Sequence, residues 1–210
     1  MASSQREFGI NPFDDDKLRE ECGVFGFYGH PDAAAHVALG LHALQHRGQE
    51  AAGIVSFDGV HFHSHRSLGS VGDHFSSANV IDQLSGSSAI GHVRYSTTGE
   101  TVIRNVQPLF ADLAGGGLAI AHNGNITNAT QLRHRLEKRG SIFQSTMDTE
   151  VIVHLMATCP SPGFVEKLTD ALHHLVGAYS LVLQTNDALL GARDPLGVRP
   201  LVLGELDGSY

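Results

Sequence analysis

Apolar positions along the chain fall into short runs with two different periods. Gly23 to Tyr28, Ser88 to Val93 and Gly117 to Ala121 are near-continuous apolar stretches and predict buried strands. Ala51 to Phe57 and Val60 to His65 flank Asp58-Gly59, a strong two-residue hairpin signal. Pro31-Asp32 opens a predicted helix, because Pro is tolerated in a first turn and Asp suits the positive end of the dipole. Val37, Leu41 and Leu44 recur in it at helical spacing, and Gly48 stops it after Arg47. Three further helices are predicted. One starts at Thr127 or Asn128, carries Leu132 and Leu136, and ends at Gly140. The next starts at Asp148-Thr149-Glu150 and carries Val151, Ile152 and Leu155; the last follows Phe164, Leu168, Leu172 and Leu175 to Gly177. Strands are expected again at Ala178 to Gln184, Ala188 to Ala192 and Leu201 to Leu206, and Gly115-Gly116-Gly117 reads as a hairpin connection.

Helices grouped between sets of strands do not alternate as parallel βαβ units would. The class expected is α+β, with antiparallel sheets covered by helices. Residues 1–21 are polar, acidic around Asp14-Asp15-Asp16 and without a sustained period, so they read as a leader or propeptide. Asp207-Gly208 is another hairpin signal with only Ser209 and Tyr210 after it, which leads to the expectation that residues 22–210 are one domain of a longer protein.

Composition narrows the function classes. The 210 residues suffice for one substantial core, and a formal charge of −8 argues against a general nucleic-acid surface, which needs clustered Lys and Arg. No apolar stretch approaches the roughly 20 residues a membrane helix requires. Two cysteines build neither a disulfide framework nor a four-cysteine cluster, and a cytoplasmic, reduced setting is the default. Fourteen histidines include His61, His63 and His65 on one strand face and His42 with His46 one helical turn apart. No third ligand is placed to complete either set, so no metal site is expected here.

The candidate chemistry begins at Cys22. As a buried strand residue it would be a small hydrophobe. If the bond to Glu21 is cut, it carries both a thiol of pKa about 8.5 and an α-amine titrating at about 7.7–8.0, close enough to accept the thiol proton near neutral pH. Polar clusters follow the predicted strands at Gln45-His46-Arg47-Gly48-Gln49, His92-Val93-Arg94-Tyr95-Ser96-Thr97, His122-Asn123-Gly124-Asn125 and Met147-Asp148-Thr149-Glu150. Each also has a purely structural reading. Arg94 suits a surface ion pair, Asn123-Gly124 an ordinary turn, Asp148 a helix N-cap and Arg47 a helix C-terminal cation.

Taken in order with Cys22-Gly23-Val24-Phe25-Gly26 and the Ala192-to-Pro200 stretch ARDPLGVRP, these clusters resemble the class II glutamine amidotransferases, and within them the amidophosphoribosyltransferase branch. The resemblance covers residues 22–210. It implies a four-layer αββα sandwich of two antiparallel sheets flanked by helices, the N-terminal nucleophile hydrolase fold. It also implies Cys22 as nucleophile and Asn123 with Gly124 as the oxyanion donors. Arg94 would receive the α-carboxylate of L-glutamine and Asp148 its α-ammonium. Thr97 would add a hydroxyl contact, while Arg47 and Gly48 hold the Cys22 end. In the complete protein, ammonia would pass to a C-terminal phosphoribosyltransferase domain and react with phosphoribosylpyrophosphate. That domain is expected to use Mg²⁺, some members carry a 4Fe-4S cluster, and the full-length protein is expected to be a homo-oligomer. A hexosamine-forming relative, a catalytically silent glutamine-binding module and a self-processing peptidase-like member of the same fold are the competing readings. Cys159 is expected in the core, and Arg193-Asp194-Pro195-Leu196-Gly197 as a turn between strands.

Overall fold

The computed structural model describes residues 21–95 and 102–210; the leader other than Glu21, and Thr97, lie outside the described residues. Two four-stranded antiparallel sheets stack face to face. The first contains β1 (Gly23–Tyr28), β2 (Ala51–Phe57), β3 (Phe62–Leu68) and β4 (Ser88–Arg94), in the order β1-β4-β2-β3. The second contains β5 (Leu109–Leu113), β6 (Gly116–Ile126), β7 (Gly177–Thr185) and β8 (Leu189–Arg193), in sequence order. Helix α1 (Ala33–Ala43) lies on the outer face of the first sheet. The short helices α2 (Val71–Phe75) and α3 (Ala78–Asp82) lead back into β4. Helices α4 (Ala129–Glu137), α5 (Thr149–Thr158) and α6 (Phe164–His174) are associated with the second sheet. The layers are therefore α, β, β, α, as expected. No helix among the described residues is long and apolar enough to cross a membrane.

Three apolar clusters separate the layers. Val37 and Leu41 of α1 pack on Ala52, Ile54, Ala89 and Val93. Ile152 and Met156 of α5 pack with Leu118, Ile120, Leu181 and Leu183. Between the sheets lie Val55, Ile90, Ala119, Ala121 and Val182. Successive strand residues point to opposite faces. Ile90 of β4 faces the second sheet while Val93 faces α1, which puts His92 and Arg94 on the inter-sheet side. By the same alternation Ala119, Ala121 and Asn123 of β6 face the first sheet, and His122 faces α5.

Several boundaries differ from the pattern in the sequence. Asp58-Gly59 is not a two-residue hairpin: Phe57 pairs with Phe62, leaving a four-residue connection. The Asp58 N–H still donates to the His61 carbonyl at 3.1 Å, but its carboxylate takes the Val60 and His61 N–H groups at 2.8 and 2.7 Å, so the regular ladder starts only at Phe62. Helix α1 stops at Ala43, and Gln45–Arg47 forms a separate 3₁₀ turn. β5, α2 and α3 are additional to the elements that the pattern predicts. β6 extends to Ile126, so Asn123-Gly124 is strand rather than turn. The strand expected at Leu201 to Leu206 does not form. Leu201 packs its side chain beside Gly191 of β8, while Val202 and Leu203 are 91% and 86% exposed. Only a Leu206–Ser209 bridge closes the Asp207-Gly208 turn, where both residues have positive φ.

Candidate active site

Cys22 stands immediately before β1 with φ +64°, in the left-handed region that a side chain with Cβ rarely adopts. Its backbone N–H donates to the Arg47 carbonyl at 2.9 Å. Its sulfur accepts the Tyr95 N–H at 3.4 Å and lies 3.5 Å from the Tyr95 carbonyl. Gly48 brings these groups together. A Cβ there would fall 2.6–2.9 Å from the Arg94–Tyr95 peptide, so only glycine lets the 3₁₀ turn lie against the end of β4. Arg47 and Gly48 thus act on Cys22 through backbone. Burial pushes the Cys22 thiol above its ordinary pKa. The Tyr95 N–H and the Arg94 and Arg199 charges oppose this, and Glu21 adds to it.

Arg94 is buried at the end of β4 rather than lying on the surface. Its Nη1 donates to the Asn105 carbonyl at 3.4 Å and points at the Met147 sulfur, 2.9 Å away. Asp148 occupies the N-cap position of α5, yet its side chain does not cap that helix. The carboxylate turns instead to the end of β6, accepting the Ile126 N–H at 3.0 Å, with His122 Nδ1 3.5 Å away. Burial alone would raise the Asp148 pKa; His122 and backbone N–H donors outweigh it and hold the carboxyl below its ordinary value. Asn123 is buried on the inter-sheet side of β6. Gly124 has φ +145°, and a Cβ there would overlap the Ala178 carbonyl, so both conformation and space demand glycine.

The predicted residues therefore come from both sheets. Cys22, Arg47, Gly48 and Arg94 belong to the first; Asn123, Gly124 and Asp148 belong to the second and to the start of α5. Among the described residues, the Arg94–Met147 contact and a bond from His92 Nε2 to the His122 carbonyl at 3.1 Å join the halves beside the site. The arrangement offers a partly buried thiol, a buried guanidinium, a carboxylate kept ionised and a buried amide.

Comparison with known proteins decides the family. The glutamine amidotransferase domain family matches residues 92–210. An amidophosphoribosyltransferase from Lacticaseibacillus casei is 46% identical over 193 residues, 92% of this chain and 100% of that relative. The chain belongs to the amidophosphoribosyltransferase family. The Rhizobium etli amidophosphoribosyltransferase is 58% identical over 199 residues, which are 95% of this chain and 40% of the relative, so the chain spans well under half of that protein. The solved glutamine phosphoribosylpyrophosphate amidotransferase from B. subtilis, complexed with ADP and GMP, superposes with a TM-score of 0.83 at 42% identity, covering 89% of this chain and 40% of that one. A structure described as the allosteric regulatory enzyme of purine biosynthesis gives 0.85 at 43% identity, with the same coverage.

Several groups to which the sequence assigns no role, Glu150, His92 and Arg199 within quoted clusters and Asn105 outside them, shape the site. Glu150 is buried and accepts from the Gln144 N–H, the Ser145 N–H and the Ser145 hydroxyl at 2.7–2.8 Å, which fixes the loop leading to Asp148. The Asn105 side chain clasps Thr146 through two hydrogen bonds of 2.9 and 3.1 Å. Burial, reinforced by the His122 and Arg94 charges, pushes His92 down to about 3, so it is neutral and donates from Nε2. The stretch after Arg193 is not a turn between strands, since no strand follows β8. It is a loop tied by Asp194, whose carboxylate accepts the N–H groups of Leu196, Val198, Arg199 and Tyr179. That loop brings Arg199 near enough for its charge to act on Cys22. A spacing rule could not reveal it, because the two residues are far apart in the sequence.

Cys159 is buried at the end of α5. His63 pairs with Asp58 at 2.7 Å and His65 packs edge-on to Phe75. Among the described residues, no group of three or more His, Cys, Asp or Glu is placed to hold a metal ion. Mg²⁺ and the iron–sulfur cluster are expected of the longer protein rather than of this domain, and the described residues gather no ligand set for either.

Proposed function

We propose that this domain hydrolyses L-glutamine through a thioester on Cys22, and that within the longer protein the released ammonia passes to a C-terminal phosphoribosyltransferase domain. There it would convert phosphoribosylpyrophosphate to 5-phosphoribosylamine, the entry step of purine synthesis. The observation that carries the reading is the backbone at Cys22. With Glu21 attached, φ is +64°, a conformation costing on the order of 1–3 kcal/mol for a residue with a side chain. Cutting the Glu21–Cys22 bond removes the preceding carbonyl that crowds Cβ at positive φ and the Glu21 charge that opposes the thiolate. The freed amine remains beside the Arg47 carbonyl and takes the thiol proton.

The thiolate then attacks the carboxamide carbon. The oxyanion forms against the Asn123 side-chain amide and the Gly124 N–H, donors of the kind whose individual loss costs about 10²–10³ in turnover. The amine returns its proton to the departing ammonia, and water then hydrolyses the thioester. Arg94 offers a planar fork to the α-carboxylate, and Asp148, held ionised, pairs with the α-ammonium. Together they select a free amino acid over an internal peptide residue. Thr97 is assigned its hydroxyl contact by resemblance alone.

Treatment with a diazo-ketone analogue of glutamine, followed by intact-mass and peptide analysis, tests the reading. A chain beginning at Cys22 and labelled on its sulfur is expected. Full glutaminase activity in protein that retains Glu21, or in Cys22→Ala, overturns it.

A further inference from the structure

The Met147 sulfur lies 2.9 Å from Arg94 Nη1, on the guanidinium that, by the functional reading above, receives the carboxylate of glutamine. A thioether is a weak acceptor and yields readily to a carboxylate. An oxygen placed on that sulfur would not yield so easily. We propose that Met147 is a modification site: oxidation by a peroxide to methionine sulfoxide creates an S=O acceptor that captures Arg94 and closes the glutamine site, reversibly.

Three observations support this. First, Met147 is half-buried and lines an open cleft of about 340 Å³ together with Asn125, Thr127, Arg133, Thr146 and Asp148, which gives a small oxidant access to it. Met156, by contrast, is fully buried in the core under α5, and Met1 lies outside the described residues. Second, the backbone of Met147 is pinned on both sides. Its N–H donates to the Ser145 hydroxyl at 3.2 Å, and its carbonyl accepts Arg133 Nη2 at 3.0 Å. An added oxygen therefore stays beside Arg94 instead of being carried away by loop movement. Third, Met147 directly precedes Asp148, so the modification falls between the two charges proposed to recognise the amino acid.

The chemistry balances. The peroxide O–O bond breaks, one oxygen bonds to Sδ, the sulfur loses two electrons, and the other oxygen leaves as water. Methionine sulfoxide reductases reverse the step with a thiol reductant.

Cys22 also reacts with peroxide, so the test uses protein beginning at residue 22 and carrying Cys22→Ala, with L-glutamine binding measured by calorimetry. Hydrogen peroxide is applied until peptide mass analysis shows one oxygen on Met147. Glutamine binding is expected to weaken roughly ten- to a hundredfold, as for a competing hydrogen bond to a charged donor, and to return after treatment with both sulfoxide reductases. Met147→Leu in the same background should lose the peroxide response. Met147→Gln, whose side-chain carbonyl stands in for the sulfoxide oxygen, should bind weakly without peroxide. Unchanged affinity with Met147 fully oxidised overturns the proposal. So does resistance of Met147 to peroxide that oxidises an unstructured methionine peptide, or an equal response in Met147→Leu. If untreated protein fails to bind glutamine, or Arg94→Lys binds it equally well, the underlying assignment of Arg94 falls first and the proposal with it.

Discussion

Replacing Gly48 with Ala isolates the backbone packing that holds Cys22. Gly48 has φ −173°, ordinary extended backbone, so an added methyl brings no conformational strain and its whole effect is steric. The nearest atom, the Arg94 carbonyl carbon, would lie 2.6 Å from the new Cβ, against about 3.4 Å for an ordinary contact. Both sides are backbone, so the two segments must separate by about 0.8 Å. One segment carries the Tyr95 peptide that touches the Cys22 sulfur, and the other carries the Arg47 carbonyl that holds its nitrogen. Overpacking of this kind costs about 1–3 kcal/mol of stability. A displacement approaching 1 Å at a reacting group costs about 10²-fold in rate. Glutamate release should therefore fall by about two orders of magnitude in kcat/KM, with a drop of a few degrees in Tm. Gly204→Ala, where an added Cβ meets nothing within 4 Å, serves as the control and should change neither. A folded Gly48→Ala protein with turnover within twofold of the parent would refute the steric account.

Gly124→Ala combines overlap with the Ala178 carbonyl and a φ of +145°. It should abolish glutaminase activity and lower the denaturation midpoint, and near-normal activity would dismiss the demand for glycine there. Glu150→Gln turns an amide N–H₂ towards donors that now meet a carboxylate. The expected loss is about 2–3 kcal/mol in urea unfolding, with KM for glutamine raised as the loop before Asp148 loosens. An unchanged midpoint would count against it. His92 gives a pH signature. Its folded pKa of about 3 lies below its unfolded value of about 6.5, so between the two the unfolded chain binds a proton that the folded chain refuses. Its contribution is fully present above pH 6.5 and is lost as pH falls, by up to about 1.4 kcal/mol per unit. His92→Gln should flatten the unfolding free energy over that interval, and an unaltered slope would contradict the assignment.

The parts of the fold that could be read from the sequence are those whose information is local. β1, β2 and β4 declare themselves as apolar runs, and α4 to α6 as periodic stripes between capping residues and glycines. The misplaced elements were decided by partners distant in sequence. β3 begins at Phe62 because the Asp58 side chain intercepts two N–H groups first. β6 continues through Asn123-Gly124 because β7 pairs alongside it as far as Gly177, overriding turn-forming residues. Leu201 to Leu206 has the composition of a strand, yet it runs past the edge strand β8 without joining it, with Val202 and Leu203 turned to solvent. In the site, Cys22, Arg94 and Asp148 stand out as residue types suited to the chemistry. Asn105, His92, Glu150 and Arg199 do not, because their work is to hold a loop, join two sheets or lend a charge across the fold.

The same distinction explains how one site can draw on both sheets. Ile90, His92 and Arg94 follow one another along the inner face of β4, and Ala119, Ala121 and Asn123 do so along the inner face of β6. Each series begins apolar and ends polar. On β6 the inter-sheet side chains are small: Ala119 and Ala121 meet Val55, Ile90 and Val182, with Phe62, Leu189 and Leu201 packed around them, and a Cβ on Gly26 would sit 2.8 Å from Val182. That close approach of the sheets lets short polar groups reach across at the strand ends, where larger residues at Ala119 and Ala121 would hold them apart. The His92–His122 bond lies at the change from dry to polar. It crosses between the sheets one residue before Asn123 and two before Arg94, so the spacing set by alanines is passed directly to the groups proposed to hold the substrate.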